Sequence, residues 1–242
     1  MDVIRLLPRL FFIRLPVGHA YLWHDPDGLT LIDAGLPGCA PLLAGAIRRT
    51  GRQPAELRRL VLTHFHPDHI GAAADIAAHG QAEVLAHHAD APFIRAAGAG
   101  PAPDLADWEQ PLFEQVRSRL PAQPATPLIP PRIDRELADG DELGFGDGAV
   151  ALAVPGHTPG SVALYLPRHR VLFTGDAVAR GQEGKVICGV FNVDRTQAAA
   201  SLRRLATLDA AVACFGHGEP LTRNAAAELQ AAAARLPADT GS

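Results

Sequence analysis

Along the first part of the chain, short apolar runs alternate with clusters of Gly, Pro and Asp, the pattern of buried strands bounded by turns. Residues 10–15 and 20–24 are apolar runs of strand length, and Asp25-Pro26-Asp27-Gly28 is a turn by composition. Residues 29–32 form a compact run that stops at Asp33-Ala34-Gly35. The spacing predicts a helix over 40–50, with Leu42, Leu43, Ala46 and Ile47 on one face and Gly51 as its stop. Strands follow at 59–62 and 82–86, and helices at 70–78 and 87–97. From 98 to 131 the periodicity gives way to a Pro-rich stretch with one amphipathic piece, 108–120. That stretch reads as an insertion or lid over a site, since long irregular segments in compact domains are commonly functional.

The second half repeats the outline. Residues 149–154 form a strand leading to Pro155-Gly156-His157. Residues 161–166 and 170–174 form a hairpin through Pro167-Arg168-His169, and the second strand leads to Gly175-Asp176. An amphipathic helix over 196–208 precedes a strand over 211–215, which leads to Gly216-His217-Gly218. An Ala-rich helix over 223–236 ends the pattern, with fraying expected after Pro237. Four apolar strands thus run into His64, His157, Asp176 and His217. Strands aligned in sheets deliver their ends to one edge, so these side chains are expected to converge there.

Composition narrows the function classes. The 242 residues are 48% hydrophobic and 20% charged, ordinary for a globular chain, and suit a single α/β domain. A net charge of −4 and a single lysine, Lys185, argue against a nucleic-acid binder. The arginines at 48, 49, 52, 58 and 59 read as a solvated face. Cys39, Cys188 and Cys214 are too far apart for a thiolate zinc motif or a disulfide framework, and reduced thiols in the cytoplasm are expected. Arg5, Pro8, Arg9, Arg14 and Pro16 interrupt the apolar N-terminus, and no run is long enough for a membrane span.

The chemistry concentrates in His64-Phe65-His66-Pro67-Asp68-His69, four metal-competent side chains in six residues. Neutral imidazole and carboxylate suit zinc, and also iron or manganese. His64 and His66, at i and i+2, can point the same way from an extended loop. Pro67 and Asp68 favour a helix start, which turns Asp68 and His69 aside and makes two neighbouring pockets. Two ions about 3.5–4 Å apart could share a bridging hydroxide there. His157, Asp176 and His217 each also read as members of plain turns when taken alone. No Gly-x-Ser-x-Gly elbow and no phosphate loop is present, so covalent serine or cysteine chemistry has no sequence support, and Cys188 reads as buried and inert.

Four motifs together resemble the metallo-β-lactamase fold superfamily. They are Thr63-His64-Phe65-His66-Pro67-Asp68-His69-Ile70-Gly71, Pro155-Gly156-His157-Thr158-Pro159-Gly160-Ser161, Phe173-Thr174-Gly175-Asp176 and Gly216-His217-Gly218. Leu31-Ile32-Asp33-Ala34-Gly35 resembles the family's early strand. The resemblance implies a four-layer αβ/βα sandwich of two mixed sheets flanked by helices, with the site at one edge. It implies His64, His66 and His157 on one metal, Asp68, His69 and His217 on the other, and Asp176 bridging them. It also implies Asp33 steadying the 64–69 loop from behind, and a bridging hydroxide attacking a carbonyl with Asp68 aiding proton transfer.

Within the family the signature is similar to glyoxalase-II-like and lactonase-like hydrolases. Ala177-Val178-Ala179-Arg180 lacks the Tyr that quorum-quenching lactonases often carry after the bridging Asp, and the chain leaves no room for a glutathione-binding C-terminal region. His66 stands where flavodiiron proteins have Glu, and the Asp176 pattern departs from classical β-lactamases. The expected activity is therefore a binuclear hydrolase with two Zn2+ per chain, acting on a small ester, thioester or lactone. Phe93, Trp108, Phe113 and residues 180–191 are expected to shape its pocket. The alternatives are a mononuclear iron persulfide dioxygenase and a nuclease of the same fold. A small molecule is the expected partner, without nucleic acid or membrane, and a homodimer is compatible with these features.

Overall fold

A computed structural model describes residues 2–96, 98, 100–119, 126–181 and 183–237. The predicted frayed tail beyond Pro237, Leu120 at the end of the amphipathic piece, and Ala97 at the end of the helix predicted over 87–97 lie outside the described residues.

Two mixed sheets carry the fold. The first joins seven strands in chain order: β1 (Asp2–Leu7), β2 (Leu10–Arg14), β3 (His19–Asp25), β4 (Gly28–Ile32), β5 (Leu57–Leu62), β6 (Glu83–His87) and β7 (Arg135–Leu137). β1 to β4 are antiparallel neighbours, and β4 to β7 run parallel. The second sheet contains β8 (Glu142–Leu143), β9 (Ala149–Ala153), β10 (Val162–Leu166), β11 (Val171–Phe173) and β14 (Val212–Cys214), in the order β14-β11-β10-β9-β8. β12 (Val178–Arg180) and β13 (Val186–Cys188) pair as a separate hairpin. The helices are α1 (Ala40–Arg49), α2 (Pro67–Ile70), α3 (Ala73–Ala78), α4 (Ala91–Ala96), α5 (Gln110–Arg119), α6 (Arg195–Leu205) and α7 (Ala225–Ala234).

Three apolar layers hold these elements, and period-2 alternation assigns each residue to one of them. Ile32, Val61 and Leu85 meet Leu143, Val162, Leu164 and Phe173 between the sheets. Their neighbours Leu31, Leu60 and Val84 face the other way, onto Leu43 and Ile47 of α1, Ile76 of α3 and Ile94 of α4. On the far side Ala163, Leu172 and Ala213 pack against Leu202 and Leu205 of α6 and Leu229 of α7. Sheets covered on both faces need strands apolar on both faces, which is why 29–32 and 59–62 read as continuous runs. Phe12, Trp23 and Phe173 are fully buried, and each such side chain contributes roughly 1.5–3 kcal/mol. The result is the four-layer αβ/βα sandwich.

Strand direction, more than layering, positions the site. β4, β5 and β6 are mutually parallel and end at Ile32, Leu62 and His87. β9 and β11 are both antiparallel to β10, and β14 is parallel to β11, so β9, β11 and β14 also run one way.

Four local expectations are corrected. Leu42 is exposed, and α1 buries Ala40, Leu43, Ala44, Ala46 and Ile47. The helix expected over 70–78 is two pieces, α2 and α3, because the His69 carbonyl leaves the helical ladder to accept the Ala34 N–H at 2.7 Å. His87 ends β6, paired with Leu137, and the following helix starts only at Ala91. Residues 180–191, read as a loop, contain parts of the β12–β13 hairpin. Edge strand β1 is largely exposed, so it carries little burial pattern to recognise. No helix among the described residues is long and apolar enough to cross a membrane.

Candidate metal centre

Each functional side chain lies just beyond a strand end. β5 is followed by Thr63 and His64, β9 by Val154-Pro155-Gly156-His157, β11 by Thr174-Gly175-Asp176, and β14 by Phe215-Gly216-His217. α2 begins at Pro67 and turns Asp68 and His69 back toward the other ligands. The chain brings all seven sequence-predicted side chains together.

They form three overlapping groups of potential ligand atoms, each within 4.8 Å: His64, His66 and His157; His64, His69 and Asp176; and Asp68, His69 and His217. In the first, His66 Nδ1 lies 3.1 Å from His64 Nε2 and 3.0 Å from His157 Nε2. In the third, Asp68 Oδ2 lies 3.2 Å from His217 Nε2 and 3.6 Å from His69 Nε2. Asp176 stands between them. Its Oδ2 is 3.6 Å from His157 Nε2 and 3.2 Å from His217 Nε2, and its Oδ1 is 3.4 Å from His69 Nε2. His64 and His69 are close, with ring centroids 4.1 Å apart, so the α2 turn separates the two halves less than the sequence spacing implied.

A chain of hydrogen bonds orients the imidazoles from behind. Asp33 accepts the Thr63 N–H and the Thr63 hydroxyl, both at 2.8 Å, and the His69 Nδ1–H at 2.8 Å. Thr63 Oγ1, its own proton given to Asp33, accepts from His64 Nδ1 at 3.0 Å. His157 Nδ1 donates to the Val190 carbonyl at 3.1 Å. Nε2 of His64, His69 and His157 is thereby left facing the centre, the arrangement in which a second hydrogen bond fixes the ligating nitrogen. Asp33 adopts φ 60°, a left-handed conformation that Asp tolerates.

The electrostatics divide the centre. Burial, with the neighbouring imidazoles, keeps His64 well below its ordinary pKa, brings His66 to about 3 and lowers His157. Those three are uncharged and offer lone pairs. Burial also acts against charge on His69, yet Asp176, Asp68 and Asp33 hold it well above its ordinary value. His217 is raised to about 10, chiefly by Asp176. His69 Nε2 and Asp176 Oδ1 are buried without a hydrogen-bond partner. Buried polar atoms of this kind need a partner. Converging nitrogen lone pairs, a surplus of carboxylate charge and orphaned ligand atoms together fit divalent cations bound by nitrogen and oxygen donors. Gly216 makes the close approach feasible: a Cβ there would collide with Asp176 Oδ1 and lie 2.8 Å from His69 Cε1.

The Pro-rich segment reaches this centre indirectly. Glu109, buried, accepts the Ala106 N–H at 2.9 Å and the Phe191 N–H at 2.8 Å. The Asn192 carbonyl accepts the Asp104 N–H at 2.8 Å, and Phe113 packs on Phe191 with centroids 5.1 Å apart. Residues 190–193 in turn hold His157 through Val190 and Val193. Of the expected pocket residues, Phe93 packs on Phe65, whereas Trp108 is 63% exposed. Cys188 is half-buried and its thiol is pushed up to about 11 by burial and by Glu109, so it is a poor nucleophile.

A family model described as the metallo-beta-lactamase superfamily matches residues 14–217. The chain belongs to the metallo-beta-lactamase superfamily. Probable metallo-hydrolase YflN of Bacillus subtilis (strain 168) is 30% identical over 249 residues, which cover 95% of this chain and 88% of that protein. The hydroxyacylglutathione hydrolase of Rhodobacter capsulatus is 29% identical over 82% of this chain, which spans 61% of that relative's length. Among solved structures, a metallo-beta-lactamase family protein of Thermus thermophilus matches with a TM-score of 0.69 at 25% identity, covering 95% of this chain and 78% of that one. A subclass B3 metallo-beta-lactamase of Bradyrhizobium japonicum matches at 0.67 and 19% identity, over 98% and 90% of the two chains, a likeness of fold alone. This metallo-beta-lactamase superfamily member is thus coarsely a metal-dependent hydrolase.

Sequence reasoning missed Asp90, whose carboxylate is fully buried between two of the ligand loops, and Glu109 in the Pro-rich segment. Asp90-Ala91-Pro92 has the look of an ordinary helix cap, which hid the first.

Proposed function

We propose that this chain acts, as one domain, as a binuclear zinc hydrolase on a small acyl thioester, ester or lactone. His64, His66 and His157 hold one ion, Asp68, His69 and His217 the other, and Asp176 serves both. The observation that carries this reading is the set of overlapping ligand groups with Asp176 between them, in which buried His69 Nε2 and Asp176 Oδ1 face each other at 3.4 Å without a hydrogen bond. Zinc suits a nitrogen and oxygen donor set without thiolate, and iron or manganese can occupy the same set. Divalent ions bound there supply Lewis acidity toward a carbonyl oxygen. Asp68 is partly exposed, and it is held ionised against burial by the charges of His69 and His217. It accepts a proton at its carboxylate and returns it to the leaving group. His217, 42% exposed at its side chain, marks the mouth of the site. The thioester class is favoured by the relatives named hydroxyacylglutathione hydrolases.

The test pairs elemental analysis with a panel of thioesters, esters and lactones. Two zinc ions per chain and turnover of at least one thioester are expected. One iron without a second metal, together with persulfide-dependent oxygen uptake, overturns the reading in favour of a dioxygenase.

The two halves should also differ in how pH governs ion uptake. His64, His66 and His157 are uncharged at neutral pH, whereas His69 and His217 carry protons that an incoming ion must displace. Because those two pKa values are raised, affinity at that half falls as pH falls, by roughly tenfold per pH unit for each proton displaced. Calorimetric titration in buffers of different ionisation enthalpy reads the released protons. Uptake at both halves without proton release contradicts the assignment.

A further inference from the structure

Asp90 supplies no ligand atom to the centre, yet its side chain is fully buried and both of its oxygens are used. Oδ2 accepts the Phe65 N–H at 3.0 Å and the Thr158 hydroxyl at 2.7 Å, and Oδ1 accepts the Gly160 N–H at 2.7 Å. Phe65 lies between His64 and His66, and Thr158 follows His157. One carboxylate therefore ties the loop after β5, in the first sheet, to the loop after β9, in the second. The approach is close enough to require glycine at 160, where a Cβ would lie 2.7 Å from Asp90 Cγ.

Two plainer roles do not describe this residue. It stands at the start of α4, where its backbone carbonyl accepts the Phe93 and Ile94 N–H groups, but its side chain turns away from the helix. Nor does it face the reacting centre, because its oxygens point at loop donors. Desolvation raises its pKa to about 6, and the three donors limit that rise by stabilising the charged form.

We propose that Asp90 is a positioning residue for the three-imidazole half of the centre, fixing the His64–His66 loop against the His157 loop. This role rests on the two-ion reading of the centre. The three Asp90 side-chain hydrogen bonds fall on Phe65, Thr158 and Gly160, each within three residues of His64, His66 or His157, whereas Asp68 and His69 follow on α2, and none reaches the loops carrying Asp176 or His217. Asp68 and His69 depend on Asp33 and on α2 instead. Loss of Asp90 is therefore expected to be one-sided.

The test is a stepwise cobalt(II) titration of the metal-free chain, followed by calorimetry and visible absorption. Imidazole nitrogen NMR resonances of His66 and His157 report which half fills. Asp90→Asn keeps the shape but sets an amide donor against the loop donors. It is expected to weaken cobalt binding at the three-imidazole half by about 10- to 100-fold, the usual loss when a ligand's outer partner is removed. The Asp68–His69–His217 half is expected to keep its affinity. Equal affinities at the three-imidazole half in Asp90→Asn and the unmodified chain overturn the proposal, as does equal weakening of both halves. If Asp90→Asn does not fold, Thr158→Val, which deletes one of the three donors, carries the comparison: selective weakening of the same half supports the proposal and unchanged affinity overturns it. Failure of the two-ion reading is separate, because it appears in the unmodified chain as uptake of fewer than two ions.

Discussion

Replacing Asp176 with asparagine is expected to empty both halves of the centre together and to lower turnover by about a thousandfold or more. The magnitude follows from the several kcal/mol that metal ions contribute to transition-state charge stabilisation, since about 4 kcal/mol is a factor of roughly a thousand. The breadth of the loss follows from geometry. Asp176 oxygens lie 3.2–3.9 Å from ring nitrogens of His64, His69, His157 and His217, four of the five histidines in the centre. Asparagine keeps the volume, removes the charge and turns an N–H2 donor toward one of those edges. The same carboxylate raises the pKa of His217, so its loss also removes the charge balance of the Asp68 half. Elemental analysis after dialysis, with turnover on the best substrate, checks the outcome. Retention of full metal content with unchanged turnover contradicts the shared role.

The second large effect concerns stability without any metal. Asp33→Ala leaves the Thr63 N–H, the Thr63 hydroxyl and the His69 Nδ1–H without their acceptor, at a position 2% exposed. Each buried donor so orphaned costs about 1–3 kcal/mol, and breaking a buried charged pair by removing one partner costs about 3–5 kcal/mol. The φ of 60° adds strain for alanine that Asp and Asn avoid. A loss of about 4 kcal/mol is a large share of the roughly 5–15 kcal/mol that holds an ordinary domain together. Chemical denaturation of the metal-free chain should register it, with Asp33→Asn losing less. A midpoint unchanged within error in Asp33→Ala contradicts the assignment.

The sequence was most legible where one signal served two levels at once. Short apolar runs marked the strands, and four of those strands ran into His64, His157, Asp176 and His217. Asp33 was readable only through the resemblance of Leu31-Ile32-Asp33-Ala34-Gly35 to the family's early strand. Elements were missed where burial is weak, as in β1, or where a strand has only two or three residues, as in β7, β8 and the β12–β13 hairpin. The break between α2 and α3 was invisible because its cause is a tertiary hydrogen bond to Ala34. Asp90 and Glu109 escaped for a related reason. Each stands at or near a helix start, where acidic residues are common, and only the packed structure reveals that their carboxylates serve other segments.

The clasp between the two sheets has a consequence for the order of events during synthesis. The segment with His64, His66, Asp68 and His69 leaves the ribosome well before β9, β11 and β14 exist. Alone it holds only four of the seven clustered side chains. Its completion waits for the second sheet to dock, when His157, Asp176 and His217 arrive from strands that share one direction. The seven side chains therefore stand together only once both sheets have docked, so the completed cluster marks the meeting of the two halves of the chain.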